Sequence, residues 1–383
     1  LLQKPTPMKY MLIAGEASGD LHASHLIARL RQADPDARFT FLGGDLMAAA
    51  SGNQPVIHYR DMAYMGFSEV LRNLRPIFRN LATARRTLDA ERPDALILVD
   101  YPSFNLKVAK TARQLGIPVF WYISPKIWAW KQWRVKAIRR LVDKVLCILP
   151  FEPAWYAERS YPDAVYVGNP SVEELEAAIA SAPPRGEFLS ANRLRDHRII
   201  ALLPGSRRGE IRCNLPVMDA VARRFPQYTI VVAGAPGIPD EFYANLTKFK
   251  VVRDQTHALL AHAHAALVTS GTATLEAALA RVPQVVTYRS NGSKLAYNLM
   301  KKLLHVRFVA LPNLIADRGI IPEMLLHFCT PDAVAERLRE LTPDNSPVRA
   351  AQLDGYQTMR DALGHREAAK TAAAEIIKHL QNS

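Results

Sequence analysis

Cysteine is almost missing from this chain of 383 residues: Cys147, Cys213 and Cys329 stand far apart, with no Cys-x-x-Cys spacing. That excludes a disulfide framework, offers no zinc ligand set and fits a reducing cytoplasm. Long apolar runs are missing too, and no stretch approaches the roughly 18 apolar residues that a membrane span needs. The opening Leu1-Leu-Gln-Lys-Pro-Thr-Pro7 carries no secretory pattern, and Met8 or Met11 is expected as the natural start. Acidic residues are short relative to basic ones, 36 against 49, for a net charge of +13. Residues 1–170 hold 23 Lys/Arg against 15 Asp/Glu and so carry +8 of it. Such an excess implies an anionic partner: phosphate ligands, an acidic membrane surface or nucleic acid. What is plentiful is apolar content, 49%, enough for two or three buried cores at about 150 residues per domain.

The stretch that organises the rest is Val268-Thr-Ser-Gly-Thr-Ala-Thr-Leu-Glu276, continuing to Pro283. The apolar run from Ala265 to Thr269 predicts a strand, Ser270-Gly271 a turn, and Thr272 onward an Ala/Leu-rich helix that Pro283 stops. A glycine lets a ligand approach the backbone, and the free N–H groups and positive dipole end of the helix favour an anion. Glu276, one turn in, suits a hydroxyl donor such as a ribose. A Ser/Thr-capped helix that holds nothing is the plain alternative.

The first half opens with a strand over Lys9–Ala14, a loop Gly15-Glu-Ala-Ser-Gly-Asp20 and helical character from His22 to Arg31. The loop has neither the dinucleotide spacing nor the Walker lysine. Glu16 falls at the carboxyl end of a strand, where open α/β sheets keep functional groups; a turn residue, with Ser18 or Asp20 as cap, is the alternative. Strands are predicted at Arg38–Leu42, Ala95–Asp100, Ile117–Ile123, Val145–Leu149 and Ala164–Val167. Asp100 ends the second of these and is either a functional carboxylate or a loop cap. From Met62 to Arg79, Met65, Phe67, Val70, Leu71, Leu74, Ile77 and Phe78 interleave with Arg72, Arg75 and Arg79. That is more apolar surface than one core stripe needs, and it suits either a membrane interface or an ordinary amphipathic helix. Trp128, Trp130 and Trp133 stand among Lys126, Lys131, Arg134, Lys136, Arg139, Arg140 and Lys144. Such a segment can stack bases, seat at lipid headgroups or pack around a cleft.

Polarity rises at Glu173–Arg195, which places a domain boundary near 168–195. A second series of strands follows at His197–Leu203, Tyr228–Ala233, Lys250–Val252, Ala265–Thr269, Gln284–Tyr288 and Arg307–Leu311. The first runs into Pro204-Gly-Ser-Arg207, a Gly turn that carries arginine for phosphate or uracil-type contacts. His257, His262 and His264 are read as structural, the last two on different faces of a helix. His22 and His25 share a helix face and are read as packing or polar contacts. Beyond Pro347 the chain is Ala/Arg/Glu-rich and helical, interrupted at Gly355 and Gly364. Both halves read as Rossmann-like α/β units.

The blocks Ala14-Gly-Glu-Ala-Ser-Gly-Asp20, Asp100-Tyr-Pro-Ser-Phe-Asn105, Ser124-Pro-Lys-Ile-Trp-Ala-Trp130, Pro204-Gly-Ser-Arg207, Ser270-Gly-Thr-Ala-Thr-Leu-Glu276 and Pro312-Asn-Leu-Ile-Ala316 occur in this order. Together, from about Met8 to about Ile377, they make the sequence resemble the lipid-A-disaccharide synthases. The resemblance implies an α/β fold of GT-B type: two Rossmann-like domains facing a cleft, residues 1–170 on the acceptor and membrane side and residues 171–345 binding the UDP-sugar. Residues 346–383 would be C-terminal helices that pack back on the first domain or swap within a homodimer. It implies an inverting transfer of 2,3-diacylglucosamine from its UDP ester to 2,3-diacylglucosamine 1-phosphate, without metal or other cofactor and without nucleic acid. The enzyme would work on the cytoplasmic face of the inner membrane of a Gram-negative bacterium, against an anionic surface. Asp100 matches the family's essential Asp and is expected as general base, with Glu16 orienting acceptor or base. Gly205, Ser206, Arg207, Gly271, Thr272, Glu276, Asn313 and Glu323 are expected at UDP. Met65, Phe67, Leu71, Arg72, Arg75, Trp128 and Trp130 are expected on the membrane and acceptor side. Tyr101, at a variable position, would shape the acceptor pocket, and Leu363–Ala369 is shorter than the family's usual turn. Other GT-B enzymes acting on UDP-N-acetylglucosamine, such as a lipid-acceptor transferase or an epimerase, and a nucleic-acid-binding module are the rival readings.

Overall fold

A computed structural model describes residues 7–62, 74–289 and 307–382. The chain divides into two compact units, residues 1–170 with 365–383, and residues 171–364.

The first unit is built on seven parallel strands: β1 Lys9–Ala14, β2 Arg38–Gly43, β3 Ile57–His58, β4 Ala95–Val99, β5 Val119–Tyr122, β6 Lys144–Cys147 and β7 Ala164–Tyr166. Their order is β3-β2-β1-β4-β5-β6-β7. The strands are continuous apolar runs because both faces of the sheet are covered. Met11 and Ile13 of β1, with Leu96 and Leu98 of β4, enter one core. Tyr10, Leu12 and Ala14, with Ala95, Ile97 and Val99, enter the other. Helix Ala368–Gln381 closes that second core with Ala372, Ala373 and Ile376. On its way there the chain passes over Gly168, whose φ is +107° and where a β-carbon would stand 2.4 Å from the Arg366 carbonyl oxygen, so there is no room for a side chain.

The second unit has six parallel strands: β8 Ile199–Leu203, β9 Thr229–Gly234, β10 Lys250–Arg253, β11 Ala263–Val268, β12 Gln284–Tyr288 and β13 Glu323–Leu325. They are ordered β10-β9-β8-β11-β12-β13. Alternation again feeds two cores, Ile200 and Leu202 on one face and Ile199, Ala201 and Leu203 on the other. Helix Pro347–Leu363 belongs here: Gln352 exchanges hydrogen bonds with both backbone groups of Gln284, at 2.6 and 3.1 Å. The C-terminal stretch 346–383 therefore splits at Gly364, one helix to each unit.

Two local expectations fail. Residues predicted as a strand over Arg307–Leu311 instead lead into a helix, Leu311–Ile315, because Pro312 cannot donate to a ladder but suits a first helical turn. The edge strand in that part of the sheet is β13, too short to show a period. His264 lies in β11 rather than on a helix, at the irregularity between Ala263 and Ala265.

Candidate active site

In the first unit the chain runs from β1 toward β2 and β3 on one side and later toward β4 to β7 on the other, so β1 and β4 flank the switch point of the sheet. Ala14 is paired with Val99, the last residue of each strand. Beyond them Glu16 and Asp100 stand at neighbouring carboxyl ends of the sheet. Sequence reasoning had selected both, and the topology brings them to one edge.

The turn carrying Asp100 is strained. Asp100 and Tyr101 are consecutive left-handed residues, φ +44° and +47°, a conformation that costs non-glycine residues roughly 1–3 kcal/mol each. The Asp-x-Pro-x-Phe-Asn block is the set of residues that holds it. The Asp100 N–H donates to Ile123 O at 3.2 Å, and Asn105 Nδ2 donates to Asp100 O at 2.7 Å and Val99 O at 3.4 Å. Pro102 starts helix Pro102–Gln114, and Phe104 packs its ring 5.4 Å from that of Tyr101. Tyr101, expected to shape the acceptor pocket, lies over Gly15 and donates its hydroxyl to Met62 O at 2.8 Å. A β-carbon on Gly15 would meet that ring at 2.4–2.7 Å. Gly15→Ala should therefore lower stability by about 1–3 kcal/mol, read as an earlier denaturant midpoint, with activity falling alongside.

Asp100 is open to solvent, yet its carboxyl is pushed up from its ordinary value. The largest cause is lost hydration; the Lys126 ammonium and the Tyr101 N–H pull the other way. Glu16 occupies the N-cap position of helix Ala17–Ala33, half-buried, with its carbonyl accepting from the Asp20 N–H. Asp20 caps the next helix, not its own: its carboxylate accepts from Gly44 N at 2.7 Å, Leu46 N at 3.1 Å and Met47 N at 3.2 Å.

The tryptophans divide. Trp128 is buried and donates Nε1 to Glu152 at 3.0 Å, so it is a core residue of this segment rather than a surface one. Trp130 and Trp133 are 53% and 66% exposed, each with a cation over its ring, Lys131 at 4.0 Å and Arg134 at 5.7 Å. Phe78 is 59% exposed beside Lys107 at 5.8 Å, and Arg75 is exposed. Met65, Phe67, Leu71 and Arg72 lie outside the described residues.

In the second unit β8 and β11 flank the switch point, and Leu203 is paired with Val268. Both Gly turns thus leave the same sheet edge side by side, and the Thr269 N–H donates to Leu203 O at 2.9 Å. They differ in what their backbone groups do. At Gly205, φ +116°, the Ser206 and Arg207 N–H groups donate to Glu210 Oε2 at 3.2 and 3.4 Å. Glu210 caps helix Arg208–Ala222 from its first turn and takes up both of these N–H groups. What this turn presents outward is the Arg207 side chain, 65% exposed and 3.8 Å from Glu210. At Gly271, φ +144°, a β-carbon would meet open space, and exposed Thr272 begins helix Thr272–Leu279.

Glu276 is half-buried one turn into that helix, and its carboxyl is raised, first by burial and further by Glu174. His257, 4.0 Å away, pulls it back down. His257 is thus a neighbour of the site that the sequence reading had set aside, while His262 and His264 bond Pro183 O and Thr342 O at 2.8 and 2.7 Å. Asn313 is buried with all four amide positions used: Nδ2 donates to Ile321 O and Glu323, and Oδ1 accepts from Ile320 N and Ile321 N. Glu323 accepts from the N–H groups of Val309 and Ala310. These two side chains shape the 309–321 segment, which touches the Gly271 turn where Ser270 Oγ donates to Val309 O at 3.5 Å.

Sequence reasoning missed Glu152 and Glu210 and left Lys126 unassigned. Only Glu210 has a local signal, the N-cap to third-residue spacing of a capping box.

The family model described as Lipid-A-disaccharide synthetase matches residues 10–377. The lipid-A-disaccharide synthase of Myxococcus xanthus (strain DK1622) is 40% identical, covering 98% of this chain and 98% of its own. That of Geobacter metallireducens is 34% identical, with 97% of each covered. Among solved structures, UDP-GlcNAc 2-epimerase from Neisseria meningitidis bound to UDP-GlcNAc matches with a TM-score of 0.66 at 12% identity, over 98% of this chain and 100% of that one. The calicheamicin glycosyltransferase matches at 0.58 and 16%, over 98% and 99%. At such identities the structures speak for the fold, two parallel-sheet Rossmann-like domains of GT-B type. The sequence match is of another order, and by it the chain belongs to the lipid-A-disaccharide synthetase family, hexosyltransferases of lipid A biosynthesis.

Proposed function

We propose that this enzyme transfers 2,3-diacylglucosamine from its UDP ester to the 6-hydroxyl of 2,3-diacylglucosamine 1-phosphate, with inversion at the anomeric carbon. The observation that carries the reading is the strained, solvent-facing Asp100 at the switch point of the first sheet, within the stretch that the family model matches. The acceptor oxygen bonds to C1 of the donor sugar, the C1–O bond to the diphosphate breaks with its electron pair leaving as UDP, and the acceptor proton passes to Asp100. Asp100's raised carboxyl makes it a better base than an ordinary aspartate. Glu16 orients the base or the acceptor. Arg207 and the Gly271–Thr272 helix end meet the charge of the departing diphosphate, and Glu276 takes the ribose. Asn313 and Glu323 serve by shaping the wall beside Gly271.

The test is UDP release from UDP-2,3-diacylglucosamine with and without the monosaccharide 1-phosphate. Release that depends on the acceptor, with a disaccharide 1-phosphate formed, is expected. Release indifferent to the acceptor, or interconversion of UDP-GlcNAc with its 2-epimer, would overturn the proposal.

Both lipid substrates lie in a bilayer, and we place the docking surface on Phe78, Trp130 and Trp133 with their cations. Helix Pro102–Gln114 joins them, since Ser103 accepts from Arg134 at 3.2 Å and Lys107, one turn on, stands beside Phe78. Changing Phe78, Trp130 and Trp133 together to Ser should weaken sedimentation with phosphatidylglycerol vesicles at every salt concentration. Changing Arg75, Arg79 and Lys131 to Ser should weaken it on the order of a hundredfold at low salt and little at high salt, at about 1 kcal/mol per cation. RNA binding as tight as vesicle binding at matched salt would refute this surface.

A further inference from the structure

We infer that Glu152 is a positioning residue for the reaction: it grips the Ser124–Trp130 segment and thereby holds Lys126 beside Asp100. The inference rests on the reading of Asp100 as base.

Glu152 is 1% exposed, and a carboxylate so enclosed costs several kcal/mol unless its oxygens are bonded. Here they are. Oε1 accepts from Ser124 Oγ at 3.3 Å and from Trp128 Nε1 at 3.0 Å, and Oε2 accepts from Leu149 N at 3.0 Å. Two of the three donors belong to the segment that follows β5, so Glu152 pins that segment at both ends of the run Pro125-Lys126-Ile127. Ile127 is buried between the two anchors, and Lys126 is left exposed at the surface. The Asp100 N–H donates to Ile123 O at 3.2 Å, so the pinned segment starts against the Asp100 turn, and the Lys126 ammonium lowers the carboxyls of both Asp100 and Glu152.

The groups around Glu152 are Lys126 on the pinned segment, Cys147 on β6, Tyr156 on its own helix and Tyr166 on β7. Around Asp100 they are Lys126 and the Tyr101 N–H, with Glu16 at the end of the neighbouring strand. Burial raises Glu152 to about 7 against the pull of its donors and of Lys126. Of its three partners only the Ser124 hydroxyl can accept a bond in return, so a proton on Glu152 must sit there and turn that hydroxyl.

The test is the pH profile of kcat/KM for the full chain, whose acidic limb reports deprotonation of the base. Lys126→Met removes the cation that pulls Asp100 down, so the limb should move to higher pH. Glu152→Gln keeps the shape, but in either orientation its amide opposes an N–H, of Leu149 or of Trp128. It should move the limb in the same direction and lower kcat roughly tenfold to a hundredfold, with KM for the UDP donor unchanged. In a Lys126→Met background it should move the limb no further. Trp128→Phe removes one donor while keeping the ring's bulk, and should reproduce the shift even if Glu152→Gln folds poorly. If Lys126→Met moves the limb while Glu152→Gln and Trp128→Phe leave it in place, Glu152 is structural only and the inference fails. If Lys126→Met leaves it in place and Asp100→Asn keeps wild-type turnover, the base itself is misassigned and the inference falls with it.

Discussion

Replacing Asp100 by Asn is expected to lower kcat by roughly 10²–10⁴, about 3–5 kcal/mol in the barrier, while UDP affinity stays within twofold. Asn fits the same left-handed turn, a conformation that Asn and Asp tolerate best among residues with a β-carbon. The bonds that hold the turn, Asn105 Nδ2 to Asp100 O and the Asp100 N–H to Ile123 O, are backbone bonds at position 100 and survive the change. What is lost is basicity alone. The sign of the pH dependence follows from the raised carboxyl: the base works only when deprotonated, so kcat/KM should rise with pH along a limb displaced above the ordinary aspartate range. Steady-state kinetics with a UDP titration checks both halves, and near-normal turnover in Asp100→Asn would remove Asp100 from the chemistry.

That Asp100 could be found at all without coordinates follows from how parallel sheets are covered. Ala95-Leu-Ile-Leu-Val99 is apolar throughout because both of its faces are buried, and the first polar residue after such a run marks the carboxyl edge of the sheet. The same logic located Glu16 after β1 and the Gly turns after β8 and β11. Residues that act through partners distant in sequence were illegible. Glu152 is joined to Ser124 and Trp128 across 28 and 24 residues, with no local pattern to announce it. Asn313 and Glu323 were expected at UDP, and the bonds they make to each other and to the 309–321 segment are visible only once the four bonds of the Asn313 amide are traced. The strand expected at Arg307–Leu311 does not form because Pro312 cannot donate to a ladder, and because the N–H groups of Val309 and Ala310 find a carboxylate rather than a neighbouring strand.

Arg207→Ala should weaken UDP binding by about 2–3 kcal/mol, roughly 30- to 150-fold in Kd, without unfolding the second unit. The side chain is 65% exposed and contributes nothing to either core, so stability has little to lose. The neighbouring carboxylate supplies the control. Because Glu210 accepts from the Ser206 and Arg207 N–H groups, the Gly205 turn is predicted to act through its arginine and not through its backbone. Glu210→Ala should then loosen the turn and weaken UDP binding, by less than Arg207→Ala does. If Glu210 instead stands where a phosphate belongs, its removal frees two N–H donors and calorimetry will record tighter binding of UDP. That result, together with an unchanged Kd in Arg207→Ala, would move the diphosphate contact from the side chain to the turn.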